Sequence, residues 1–290
     1  MNFTTRFAPS PTGPLHLGHA YSAILAHDLA RAARGRFLLR IEDIDRTRAR
    51  PEWEQQIYDD LSWLGLAWDE DPLRQSDRQD VYRAGLQDLW SRGLLYGCRC
   101  TRRDIADAVT APQEGAEPPH GPDGLIYPGT CRHRTPREGA NPPEGMALRL
   151  DMAAALKSLP TPLAGFTETG PLGELPGRHV PVPADELISG VGDIVLSRKD
   201  FLGSYHLSVV LDDAAQKITH VVRGADLYDA TQIHILLQAL LGISTPTYLH
   251  HRLIRDENGR RLAKRDDARA IATYRAEGLT PTDIRLKVGL

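Results

Sequence analysis

Cysteine is scarce in this chain. There are three residues in 290, at positions 98, 100 and 131, which is too few for a disulfide framework. No apolar run approaches the ~20 residues of a membrane-spanning helix. The first residues read as a strand, with no basic region before an apolar one, so no secretory leader is expected. Positive charge is not in surplus: 35 Lys and Arg stand against 38 Asp and Glu, a formal net charge of −3. A nucleic-acid partner would therefore have to meet a local patch of Arg and Lys. No G-x-G-x-x-G accompanies the first strand-to-helix turn, so dinucleotide binding is not indicated. With 41% hydrophobic and 25% charged residues, what remains is an ordinary globular chain. It is long enough for one large or two modest domains, and the cytoplasm is its expected place.

The chain is organised around Arg6-Phe7-Ala8-Pro9-Ser10-Pro11-Thr12-Gly13-Pro14-Leu15-His16-Leu17-Gly18-His19. Phe3 to Ala8 reads as extended. Two prolines and Gly13 then forbid continued strand or helix. From Gly18 the apolar positions Ala20, Ile24, Leu25, Leu29 and Ala32 follow a helical period. His16 and His19 therefore sit at the mouth of a helix, where unpaired backbone N–H groups favour an anion. This is the pattern of a triphosphate site. Arg36 to Glu42 is the next strand, and strand, helix, strand implies a parallel, doubly wound sheet. Ligands bind outside the carboxyl ends of such strands. Glu42 lies at one such end and could receive a substrate amino group; as part of Glu42-Asp43 it could equally cap a helix.

Further along, all three cysteines fall in one irregular stretch with Pro112, Pro118, Pro119, Gly121, Pro122 and Gly124. A stretch this poor in apolar residues gains from a metal staple, and tetrahedral zinc prefers thiolates. Cys98, Cys100 and Cys131 supply three ligands; Tyr127, His120 or His133 could be the fourth. Glu186 to Ile188 and Asp193 to Arg198 read as strands. Tyr205 opens a helix with Leu207, Val209, Val210 and Leu211 on its inner face. The strand Ile218 to Gly224 carries Arg223 at its carboxyl tip, in the same region as Arg6. Two guanidiniums at one pocket favour a dicarboxylic substrate. Arg260 to Asp266 is a basic run, and two short helices, Ile271 to Glu277 and Pro281 to Val288, follow.

From Phe3 to about Asp267 the sequence resembles the catalytic part of the class I aminoacyl-tRNA synthetases in their glutamyl form. The matching pieces are Arg6 to His19, Arg40-Ile41-Glu42-Asp43, Tyr205, Asp212-Asp213, His220-Val221-Val222-Arg223-Gly224 and the basic loop. The resemblance implies an α/β fold: a Rossmann-like parallel sheet split by an inserted zinc-containing subdomain, with a short helical C-terminal part. It divides the chain into a first half of the catalytic domain (1–97), the insert (98–184), a second half (185–243) and a C-terminal part with the family's signature loop (244–290). It implies a glutamate pocket of Arg6, Phe7, Ala8, Pro9, Ser10, Glu42, Tyr205 and Arg223. Pro9, His16, Gly18, His19 and Lys264 would hold ATP, with His16, His19 and Lys264 in catalytic roles. The signature loop of the family is Lys-Met-Ser-Lys-Ser-like; here it is Arg261-Leu262-Ala263-Lys264-Arg265, which keeps the charge and Lys264 but loses the serine.

No anticodon-reading domain is expected after this part, and the shortened form resembles the glutamyl-Q tRNA(Asp) synthetase family. Membership would imply activation of L-glutamate by ATP with Mg²⁺ and transfer to the queuosine base of tRNA(Asp), with no membrane involved and a monomeric enzyme. It would also imply one structural zinc on Cys98, Cys100, Tyr127 and Cys131. Two other readings fit the same residues: a truncated synthetase charging the 3′ end of tRNA(Glu), and an inactive tRNA-binding paralogue.

Overall fold

A computed structural model of the chain describes residues 3–110, 119–134, 139, 141–170, 177–255 and 269–290. Strand β1 (Thr4–Phe7) passes through the proline-rich turn into helix α1 (Leu17–Ala32), and β2 (Arg36–Ile41) returns parallel to β1. Helix α2 (Pro51–Trp63) starts on a proline, whose missing N–H is not needed in a first turn. Glu52 and Glu54 there favour the helix's positive end. Ile57 and Leu61 are buried, and Trp53 only partly. Then β3 (Leu73–Arg74) pairs parallel with β2, and α3 (Gln79–Ser91) leads out of the sheet.

The middle of the chain is more irregular. It comprises β4 (Leu95–Cys98), α4 (Arg102–Thr110), the hairpin β5 (His120–Gly121) and β6 (Gly124–Leu125), β7 (Ala147–Leu150), α5 (Met152–Ser158), β8 (Phe166–Glu168), β9 (Arg178–Val180), α6 (Ala184–Glu186) and β10 (Val195–Ser197). The regular architecture resumes with α7 (Tyr205–Ala215), β11 (His220–Gly224), α8 (Thr231–Leu241), β12 (Thr247–His251), α9 (Ile271–Ala276) and α10 (Pro281–Val288).

β11, β12 and β8 are parallel neighbours, and β9 is antiparallel to β8. Although 215 residues separate them, Thr4 and Thr219 join β1 to the foot of β11. The Thr219 N–H donates to Thr4 O at 3.0 Å, and the Thr4 N–H donates to Thr219 Oγ1 at 2.8 Å. The chain thus leaves the sheet after β3 and re-enters beside β1, which brings Arg6 and Arg223 together. Side chains alternate faces along a strand. Val221 joins the core under α3, α7 and α8, whereas Val222 joins the core under α1, with Ile24, Phe37 and Leu39. Both faces are covered, as a parallel sheet requires. A separate antiparallel sheet, in the order β10-β7-β4, lies in the middle region, while β8 and β9 of that region complete the main sheet.

Two local expectations are corrected. Residues 186–188 are not a strand: Glu186 ends α6, and Leu187–Val191 forms a π turn. Pro183 sits at the N-cap, and Asp185 and Glu186 suit a first helical turn. Cys98 does not lie in irregular chain; it is the last residue of β4, paired with Ala147. Among the described residues no helix is long and apolar enough to cross a membrane.

Candidate active site

A cavity of about 570 Å³ opens at the carboxyl ends of β1 and β11 and the N-terminus of α1. Its wall contains Arg6, Phe7, Ala8, Pro9, Ser10, His16, Gly18, His19, Glu42, Tyr205 and Arg223. Lys264, the remaining expected residue of this site, lies outside the described residues. Thr12, Ser22, Asp226, His251, Leu253 and Ile254 also line the cavity and were not singled out from the sequence.

The helix mouth is built by two reciprocal hydrogen bonds. The Gly18 N–H donates to His16 Nδ1 and the His16 N–H donates to His19 Nδ1, each at 3.1 Å. His16 is the N-cap, and the pair forms a capping box made of imidazoles. Because each Nδ1 accepts, the proton of each neutral ring sits on Nε2. Both rings therefore present N–H donors, with centroids 3.8 Å apart. Gly18 permits this packing, since a Cβ there would lie 3.0 Å from the His16 ring.

On the sheet side, Arg6 and Arg40 converge on one carboxylate. Asp213 Oδ1 accepts from Arg6 Nε at 2.9 Å and from Arg40 Nη1 at 2.7 Å. Burial opposes ionisation of Asp213, but the two guanidiniums hold its pKa below the usual carboxylate value. Arg40 also faces Glu42, with Nε to Oε1 at 3.6 Å. Burial pushes the Glu42 carboxyl up to about 7, against the pull of Arg40 and Arg6 and with a push from Asp212 and Asp213. Arg6, Arg40, Asp213 and Glu42 thus form one buried charge cluster here.

Arg223 is held differently. Its Nε donates to His250 Nε2 at 3.1 Å, and Nη1 lies 3.1 Å from His234 Nδ1. Nη2 donates to Thr231 Oγ1 at 2.7 Å and to Leu227 O at 3.2 Å. All four acceptors are neutral. Burial lowers the pKa of both His234 and His250, and the Arg223 charge lowers them further, so the rings stay uncharged beside it. One Nη1 hydrogen has no partner among the described residues, and no carboxylate there forms an ion pair with this buried guanidinium. A buried, uncompensated positive charge on a cavity wall is a receptor for an anion. Tyr205, whose pKa burial raises, stands in the same wall.

Residues 2–288 match the family of class I tRNA synthetases (E and Q), catalytic domain. The chain belongs to that family. It is 60% identical over 288 residues to a glutamyl-Q tRNA(Asp) synthetase of Rhodobacter capsulatus, covering 99% of both chains. It is 42% identical to one of Symbiobacterium thermophilum, over 96% of this chain and 83% of the relative. Among solved structures, the glutamate-tRNA synthetase of Elizabethkingia anophelis matches with a TM-score of 0.75 at 26% identity, over 99% of this chain. The chain spans 61% of that synthetase's length.

In this class I synthetase the cysteines come together away from the cavity. The sulfurs of Cys98, Cys100 and Cys131 lie within 4.8 Å of one another, and Cys100 and Cys131 are 3.5 Å apart. The Tyr127 hydroxyl is 3.4 Å from the sulfurs of both Cys98 and Cys100 and accepts from the Cys131 N–H at 2.8 Å. Tetrahedral zinc with Zn–S near 2.3 Å and Zn–O near 2.0 Å places sulfurs about 3.8 Å apart and an oxygen about 3.5 Å from each. The 3.5 Å between the Cys100 and Cys131 sulfurs and the 3.4 Å from the Tyr127 oxygen to Cys98 and Cys100 are near those values, so this donor set suits zinc. The Arg149 guanidinium, 3.8 Å from the Tyr127 ring centroid, would favour electron density on the phenol.

Proposed function

We infer that the chain is a ligase that activates L-glutamate with ATP and transfers it to the queuosine base of tRNA(Asp). The 60% identity over 99% of both chains with a glutamyl-Q tRNA(Asp) synthetase carries this reading. The pocket supports it chemically. Arg223 brings a charge with no ion-paired carboxylate among the described residues, and Arg6 lines the same cavity with Glu42. A substrate with two carboxylates and one ammonium complements that set. Glutamine would leave a buried guanidinium without its charge partner, which is a strong ground for rejection.

In the first step an oxygen of the glutamate α-carboxylate attacks the α-phosphorus of ATP. The P–O bond to the β-phosphate breaks, and pyrophosphate leaves with the electron pair. Such displacement asks the protein for positioning and for donors aimed at developing charge. The Nε2–H groups of His16 and His19 and the positive end of α1 supply both. Lys264 would add a cation to the phosphates. Ile254 lines the cavity and Ala270 bridges to His16, another lining residue, so described residues on either side of Lys264 in the sequence lie at the site. In the second step a hydroxyl of the queuosine cyclopentene diol attacks the acyl carbon, AMP leaves and the hydroxyl proton is lost. The base is reached as an unstacked loop nucleotide.

Mg²⁺ accompanies ATP as part of the substrate. Zinc on Cys98, Cys100, Tyr127 and Cys131 would tie the end of β4 to residues 127–131 and supply structure, not chemistry. ATP and tRNA as substrates support a cytoplasmic enzyme.

Radiolabelled glutamate, ATP and tRNA(Asp) with and without queuosine test the assignment. Label on the queuosine-bearing tRNA alone is expected. Charging of tRNA(Glu) instead would make the chain a shortened conventional synthetase, and no glutamate-dependent ATP–pyrophosphate exchange would make it a binding protein.

A further inference from the structure

Arg223 ends a hydrogen-bonded chain that starts in the β5–β6 turn. Its Nη1 can only donate, so His234 Nδ1, 3.1 Å away, presents a lone pair. The proton of His234 then sits on Nε2, which faces His206 Nδ1 at 3.1 Å. His206 must in turn be protonated on Nε2, which faces Asp123 Oδ1 at 3.3 Å. Each link has one allowed polarity, and the chain terminates on a carboxylate, which can only accept. His206 and His234 are buried, at 5% and 1% exposure. The other side of Arg223 is organised alike: Glu168 Oε2 accepts from His250 Nδ1 at 2.6 Å, which leaves His250 Nε2 to accept from Arg223.

We propose that Asp123 is a positioning residue for the glutamate pocket, fixing through His206 and His234 the tautomer that presents an acceptor to Arg223. This rests on the reading of Arg223 as the receptor for a substrate carboxylate. Without Asp123, His206 can carry its proton on Nδ1. His234 would then turn its own proton toward Arg223, two donors would oppose each other, and the guanidinium would lose its seat. The turn that carries Asp123 is firmly placed. A Cβ on Gly121 would lie 2.3 Å from Gly190 O, and one on Gly192 would lie 2.8 Å from Ile126 Cγ2, so the hairpin is seated on the Leu187–Val191 turn with no room between. Tyr127, of the cysteine cluster, follows the hairpin directly. A residue of the middle region thereby acts on the amino-acid pocket without touching it.

Asp123 is half exposed, so its replacement leaves the fold intact. Asp123→Ala should raise the KM for glutamate in ATP–pyrophosphate exchange on the order of five- to tenfold, the loss of about one hydrogen bond's worth of orientation. The KM for ATP should not change, and Asp123→Asn, which retains an acceptor oxygen, should stay near the parent value. Imidazole ¹⁵N spectra of the full chain should show both His206 and His234 protonated on Nε2, with mixed tautomers in Asp123→Ala. A His234 proton on Nδ1 in the parent protein, an unchanged glutamate KM in Asp123→Ala, or an equal rise in both KM values would overturn the proposal. Absence of glutamate-dependent exchange in the parent protein would overturn the functional reading alone, and the spectra would still judge the relay.

Discussion

Arg6 and Asp213, 207 residues apart, face each other through two contacts, Nε to Oδ1 at 2.9 Å and Nη2 to Oδ2 at 3.3 Å. The same Asp213 oxygen also takes Arg40 Nη1, so one carboxylate is shared by two buried cations. Its loss should be costly for that reason. Asp213→Ala is expected to lower the unfolding free energy by about 3–5 kcal/mol, since it strands charges that cannot reach water. Urea denaturation with an unchanged slope would measure it. Asp28→Ala, which breaks the partly exposed pair with Arg285, should cost no more than about 1 kcal/mol. Equal costs for the two would contradict the charge-sharing account.

His19 has two roles that substitution can separate. As the third residue of α1 it accepts from the His16 N–H, and in the proposed mechanism its Nε2–H would serve the nucleotide phosphates. His19→Gln keeps a side-chain acceptor where a capping box places glutamine, but removes the imidazole donor. Its melting temperature should stay near that of the parent, while kcat for exchange should fall roughly 10²–10³-fold, as for a lost transition-state donor. His19→Ala should lose both, with about 1 kcal/mol of stability gone as well. Parent-like exchange in His19→Gln would remove the imidazole from the mechanism.

Local chemistry accounts for how much of the site could be read in advance. The turn from Pro9 to His19 announces itself by prolines, glycines and a helical period that begins on cue. Arg6 and Arg223 declare themselves by standing at the tips of strand-like runs. Leu211, expected on the inner face of α7, is only partly buried because it sits at the edge of the α3 contact, against Gly85. The support of Arg223 was hidden because its members come from distant parts of the chain: Glu168 is 82 residues from His250, and Asp123 is 83 from His206. Spacing cannot pair residues so far apart. One signal was present, a histidine in the middle of the otherwise apolar run Ile233 to Leu237, since a buried imidazole in such a helix needs partners.

Glu42 sets the expected pH dependence. Its pKa is raised from an ordinary 4.5 to about 7 by burial, so near neutrality a large share of the free protein carries it protonated. Only the ionised form can hold the substrate ammonium. The KM for glutamate should therefore fall as pH rises from 6 to 8, and Glu42→Gln should show a higher and flatter profile. Stability runs the other way. A raised folded-state pKa contributes stability that is full below about 4.5 and is lost as pH rises through about 7. Glu42→Gln should thus melt above the parent at pH 8 and level with it at pH 4. A parent KM that does not change between pH 6 and 8 would rule out this role.

The cysteine cluster predicts a metal by geometry alone. Three sulfurs lie within 4.8 Å of one another, and the Tyr127 oxygen is 3.4 Å from two of them, close enough for one ion to be shared. Among the described residues the local core is small: Tyr96, Cys98 and Tyr127, with a few half-buried neighbours. Protein purified without chelators should hold about one equivalent of zinc. Stripping it should lower the melting temperature by several degrees, because the bound ion stabilises the folded state by mass action. Replacement by cobalt should give the visible absorption of a tetrahedral site with thiolate ligands. Tyr127→Phe should weaken binding while keeping the thiolate bands, whereas Cys131→Ser should diminish those bands as well. Less than half an equivalent of zinc, with no effect of chelation on melting, would mean that the three cysteines are reduced thiols packed beside a tyrosine.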